Sequence, residues 1–103
     1  MRESARRPSV GGGGRADVYF MGVTGVHATA GLSTGDLEEA YMKRALAAHA
    51  AETVVIASSD KLNAASPYMI GALDLASTII VEKSTQASLI EPLAAAGVTM
   101  VMA

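Results

Sequence analysis

Four short apolar runs constrain the fold of this chain more than any other feature of it. They are Val18-Tyr19-Phe20-Met21, Thr53-Val54-Val55-Ile56-Ala57, Thr78-Ile79-Ile80-Val81 and Val98-Thr99-Met100-Val101-Met102. Each is nearly continuous and rich in β-branched residues, which suits a strand buried on both faces. Between the first two runs, Asp36 is placed to cap a helix and Glu39 to reach back to it as a capping box. Leu37, Ala40, Tyr41, Ala45 and Ala48 then share one helical stripe, Glu39 and Lys43 stand four apart, and the helix is expected to run to about Ala51. Between the last two runs, Gln86 to Ala96 reads as a helix closed by Gly97. Gly22 to Gly35 reads as a loop, and Ser58 to Asp74 as a loop with a short helical turn. Strands that alternate with helices in this way predict an α/β fold, a mainly parallel sheet flanked by helices.

A chain of 103 residues makes one domain. Half its residues are hydrophobic and only 4% aromatic, so the core must be built from Ala, Val, Ile, Leu and Met. Met42, Met69, Met100 and Met102 fall in or beside the apolar runs and read as core filler. The chain has no cysteine, which removes disulfides, thiolate metal sites and a cysteine nucleophile together. The start leads into no apolar signal segment and no run is long enough for a membrane span, so a cytoplasmic protein without a membrane partner is expected. Residues 1–15 carry Arg2, Arg6, Arg7 and Arg15 against Glu3, with Pro8 and four consecutive glycines, and read as a flexible leader. Residues 16–103 hold four bases, Lys43, Arg44, Lys61 and Lys83, against nine acids. A body of that sign repels a nucleic-acid backbone. An exposed edge strand is expected, open to pairing with another chain, a homo-oligomer included.

In open α/β sheets ligands sit beyond the carboxyl ends of the strands. Two segments there have suitable composition. The first, Gly22-Val23-Thr24-Gly25 and on to Gly31 and Gly35, is either a set of tight turns or a backbone cradle for an anion. It matches neither the dinucleotide glycine spacing nor the Walker pattern. The second, Ser58-Ser59-Asp60-Lys61-Leu62-Asn63, offers Lys61 as a phosphate contact or as a solvated surface lysine. His27 is the one acid/base group in the glycine loop, with no carboxylate in that loop to orient it. His49 suits the carboxyl end of its helix. No catalytic residue, metal site or cofactor is assigned.

Taken together, Ala16-Asp17-Val18-Tyr19-Phe20-Met21-Gly22-Val23-Thr24-Gly25, Gly31-Leu32-Ser33-Thr34, Leu37-Glu38-Glu39-Ala40 with Lys43-Arg44-Ala45, and Val54 to Leu62 resemble the C-terminal sensor domain of DeoR-family transcription regulators. The resemblance implies a partial fold like that of ribose-5-phosphate isomerase, glucosamine-6-phosphate deaminase and the CoA transferases. It implies a phosphorylated-sugar effector, bound near Gly22, Thr24, Gly25 and Gly31 with Lys61 on the phosphate and Lys43 as a further contact. DNA would be met only through a helix-turn-helix, for which this sequence has no counterpart, so a fragment of the sensor is expected. Thr24 and Val26 stand where the deaminase relatives carry an acid and a base, which favours binding over turnover. Ser58 replaces the usual aspartate of the second loop, with the acid displaced to Asp60. A small sugar-phosphate isomerase or deaminase and a stand-alone interaction module are the alternative readings.

Overall fold

A computed structural model describes residues 17–103. The leader expected for residues 1–15 lies outside the described residues. Four strands, β1 (Val18–Gly22), β4 (Glu52–Ile56), β6 (Thr78–Val81) and β7 (Thr99–Met102), form an all-parallel sheet in the order β1-β4-β6-β7. Helix α1 (Leu37–His49) links β1 to β4, and α2 (Ala87–Ala95) links β6 to β7. The expected α/β architecture is therefore present, with each strand within a residue or so of its predicted place.

The segments read as loops hold a second sheet. β2 (Gly25–His27) and β3 (Gly31–Thr34) form an antiparallel hairpin, and β5 (Tyr68–Gly71) adds to β3. These strands are three or four residues long and contain glycine, serine and threonine, so they carry little of the apolar signature that marks a strand. Their side chains nevertheless build much of the core. Val26, Leu32 and Ile70 are fully buried against Met21, Val55 and Ile79 of the parallel sheet and Leu93 of α2.

Helix α1 starts as expected but packs differently. Asp36 accepts from the amides of Glu38 (2.8 Å) and Glu39 (3.4 Å). Glu39 does not complete the capping box, because its carboxylate accepts from the Thr34 hydroxyl at 3.1 Å. Lys43 does not pair with Glu39 but donates to the Gly22 carbonyl. The helix ends at His49, with Ala50 as its cap. Its buried residues are Ala40 and Ala47, whereas Leu37 and Tyr41 are exposed. Arg44 decides that rotation: it donates to the carbonyls of Ile70 (2.8 Å) and Met69 (2.7 Å), fastening α1 to β5. Three of the four methionines assigned to the core, Met42, Met69 and Met102, are about half exposed, and the fully buried one is Met21.

Among the described residues, helices cover the parallel sheet on one face only. Each crossover moves one position the same way across the sheet, so right-handed connections all pack on one side. The other face presents Val18, Phe20, Ile56 and Val101 at 40–50% exposure. The expectation of burial on both faces thus holds for one set of alternating residues, while in the other set Val54, on the inner strand β4, is buried and Val18, Phe20, Ile56 and Val101 are not. β1 and β7 are the two edges of this sheet, as an exposed edge required.

Candidate functional site

Pairing of β1 with β4 sets Gly22 beside Ile56, so the turn after β1 and the loop after β4 leave the sheet side by side. Val26 bridges to Leu62, and the Asn63 amide donates to the Val26 carbonyl at 2.6 Å. The two segments singled out in the sequence therefore meet at the carboxyl edge of the parallel sheet. An adjoining cleft of about 300 Å³ is lined by Ile56, Ala57, Ser58, Ile80, Val81 and Glu82, with Ala103.

The glycines of the first segment do different jobs. Gly22 faces open space, with no atom within 4 Å of where a Cβ would stand. Gly25 is enclosed. A Cβ there would run into the Ser33 hydroxyl and stand 2.7 Å from the Ala64 carbonyl and 3.0 Å from the Ser66 amide. Gly31 lies at the far end of the hairpin, at φ +79°, with the Gly71 carbonyl where a Cβ would go. Gly25 and Gly31 thus serve close backbone packing, and Gly31 is built into the β3–β5 seam rather than into the carboxyl edge.

Hydroxyl groups tie the turn down. Thr24 donates its amide to the Ser33 carbonyl at 3.0 Å and shares a 2.6 Å hydrogen bond with the Ser66 hydroxyl. The Ser66 amide donates to the buried Ser33 hydroxyl at 2.8 Å. His27 is absorbed by the hairpin: its Nδ1 accepts from the amides of Thr29 and Ala30, each at 3.1 Å, and lies 3.1 Å from the Thr29 hydroxyl. Those partners are amides and a hydroxyl, not the carboxylate that general acid/base work by an imidazole calls for. His49 Nδ1 lies 2.9 Å from the Ala45 carbonyl in the last turn of α1.

In the second segment, a 3-10 turn spans Ser59–Lys61. Ser58 donates its hydroxyl to Asp60 at 2.5 Å, and Lys61 pairs with Asp60 at 2.9 Å. The Ser58 bond first, and then Lys61, hold the Asp60 carboxyl below its usual range. Lys43 Nζ donates to the Gly22 carbonyl at 2.6 Å, which sets a cation at the lip of the turn. Lys61 follows β4 and Lys83 follows β6, so both stand in segments that leave the carboxyl ends of parallel strands. Glu82, which sequence reasoning passed over, accepts from the Ser59 amide at 3.0 Å. Its position directly after the third apolar run was the available signal. Asn63 belongs to the second segment and Ser66 follows it by three residues, and the folded chain brings them to Val26 and Thr24.

Among the described residues no three His, Asp or Glu side chains are placed to hold a metal, and no helix is long and apolar enough to cross a membrane. No curated protein matches this chain in sequence. A family model described as the DeoR C-terminal sensor domain matches residues 9–83. With that match over most of its length and an α/β fold to go with it, the chain belongs to the family of DeoR C-terminal sensor domains.

Proposed function

We propose that residues 16–103 act as an effector-binding unit of a cytoplasmic DeoR-type transcription regulator, with a phosphorylated sugar as effector. The observation that carries this reading is the meeting of the Gly22–Gly25 turn and the Ser58–Lys61 loop at the carboxyl edge, with Lys43 on the Gly22 carbonyl and Lys61 in the second loop. The Cβ side of Gly22 is open to approach, and the Thr24 hydroxyl beside it is held by Ser66. Operator DNA would be contacted by a helix-turn-helix, which the described residues do not include.

In this reading Lys61 exchanges Asp60 for the phosphate. The Lys61–Asp60 pair is solvent-accessible, at 34% and 69% side-chain exposure, and an exposed ion pair holds its partners weakly. A phosphate dianion carries more charge than one carboxylate and competes well for the same ammonium group. Regulation rather than turnover is supported by the residues around the turn. Thr24 and Val26 supply no carboxylate or imidazole, and His27 spends its Nδ1 on the hairpin.

Thermal-shift and calorimetric titration with a panel of sugar phosphates, the parent sugars and inorganic phosphate tests this. A ligand present at about a hundred times its Kd stabilises the native state by about 2.7 kcal/mol. One sugar phosphate is expected to raise the melting temperature, Lys61→Ala to remove the effect and Asp60→Asn to strengthen it. If no phosphorylated sugar moves the transition, the reading fails.

A further inference from the structure

The strand pairings put one residue of each parallel strand into a single row near the carboxyl edge: Gly22 beside Ile56, Ile56 beside Ile80, and Ile80 beside Val101. Paired residues project to the same side of a sheet, so this row lies on the side opposite buried Met21, Val55 and Ile79. Ile56 and Ile80 of the row line the cleft of about 300 Å³, together with Ser58, Glu82 and Ala103. Gly22 ends the row without a side chain. A Cβ there would point to the same side as Ile56, into space with no atom within 4 Å. The cleft and the open side of the Gly22–Gly25 turn therefore share one side of the sheet.

Glu82 brings the one charged side chain of the cleft lining. Its Oε1 accepts from the Ser59 amide at 3.0 Å, which leaves Oε2 without a partner among the described residues. A carboxylate only accepts hydrogen bonds, so it repels a phosphate and takes hydroxyl donors. Ser58 ties the cleft to the lysine side of the site, because its hydroxyl donates to Asp60 and Asp60 pairs with Lys61. The cleft thus joins an aliphatic row to an acceptor, one residue away from the Lys61–Asp60 pair.

We propose that this cleft is the subsite for the hydroxylated ring of the effector. The C–H face of the ring lies on Ile56 and Ile80, a ring hydroxyl donates to Glu82 Oε2, and the missing side chain of Gly22 leaves room for the ring. The inference rests on the effector reading above and deepens it: Lys61 takes the phosphate, and Glu82 selects the hydroxyls of a monosaccharide ring. Aliphatic lining with a few placed polar groups is the usual make-up of a small-ligand site, and about 300 Å³ stands at the lower end of their range. Glycerol 3-phosphate has no ring face to lay on the two isoleucines and is expected to bind no better than inorganic phosphate.

Calorimetric titration of the full chain with ribose 5-phosphate, glucose 6-phosphate and fructose 6-phosphate, beside glycerol 3-phosphate and inorganic phosphate, tests it. One ring-forming sugar phosphate should bind more tightly than inorganic phosphate. Glu82→Gln keeps an oxygen for the Ser59 amide and should weaken that sugar phosphate by about tenfold, the share of one charge-assisted hydrogen bond, while inorganic phosphate binds as before or more tightly. Gly22→Val fills the place of the ring and should remove sugar binding, with the unliganded chain melting as the parent does. Lys61→Ala should weaken inorganic phosphate and sugar phosphate alike. A sugar phosphate that needs Lys61 yet is indifferent to Glu82→Gln or to Gly22→Val overturns the subsite and leaves the effector reading standing. Equal weakening of inorganic phosphate by Glu82→Gln overturns it too, because Glu82 would then act only by holding the Ser59 loop. Glycerol 3-phosphate binding as tightly as the sugar phosphate removes the ring from the argument. If no phosphorylated sugar binds the parent chain, both readings fall.

Discussion

Replacing Gly25 with alanine tests whether this turn is required by packing. The new Cβ would stand 2.7 Å from the Ala64 carbonyl and 3.0 Å from the Ser66 amide, both backbone atoms that cannot rotate aside. It would also push the buried Ser33 hydroxyl off its 2.8 Å bond to the Ser66 amide. Overpacking of this kind costs about 1–3 kcal/mol, and a lost bond between a half-buried amide and a buried hydroxyl about 1 kcal/mol more, with relaxation sharing part of both. A net loss of about 2–4 kcal/mol is expected, which in a domain of this size lowers the melting temperature by roughly 10–25 °C. Gly22→Ala is the internal control. It meets nothing within 4 Å, so it should be neutral or stabilising by up to about 1 kcal/mol through the unfolded chain. Urea unfolding followed by circular dichroism measures both. If Gly25→Ala stays within about 0.5 kcal/mol of the parent, or Gly22→Ala costs as much as it does, the packing argument is wrong.

Gly31→Ala should destabilise as well, by about 1–2 kcal/mol from its φ of +79° and by more from the Gly71 carbonyl, read by the same unfolding curves. His27→Ala removes the acceptor of the Thr29 and Ala30 amides and should cost about 1–2 kcal/mol, with faster hydrogen exchange at those two amides as its specific mark. Asp36→Ala should cost about 1 kcal/mol through the lost cap of α1, and Asp36→Ser should recover most of it. Asp60 should titrate below its ordinary 3.8 in a carboxyl NMR experiment, and Ser58→Ala should move it back up. Because its folded value lies below the unfolded one, whatever the charged form contributes is complete above about pH 3.8 and is lost as the pH falls through the folded value. A midpoint at or above 3.8 contradicts the Ser58 bond.

The parallel sheet was legible in the sequence because its strands are runs of Val, Ile and Thr, and the caps of both helices were legible in Asp36 and Gly97. The second sheet was not, since Gly-Leu-Ser-Thr and Tyr-Met-Ile-Gly hold their pairing through the backbone and through contacts more than thirty residues apart. The meeting of the two carboxyl-edge loops was half legible. Each could be placed after a strand, but their contact through Val26 and Leu62 is long-range.

By itself the sequence determined the alternation of strands and helices, the position of the glycine turn and the sign of the charge on residues 16–103, since all three are written in local composition and period. Tertiary structure decided which side of each element is buried. α1 turned its Ala40–Ala47 side inward because Arg44 reaches the β5 carbonyls, and this exposed the Tyr41–Leu46 side that periodicity alone had partly assigned to the core. The single direction of the crossovers left Val18, Phe20, Ile56 and Val101 on the other face without cover among the described residues, though every strand of the sheet reads as apolar throughout. Only packing separated Gly22, open to solvent, from Gly25 and Gly31, pressed against backbone carbonyls. A glycine signals that room is needed, and the fold alone says whether a ligand or a neighbouring strand fills it.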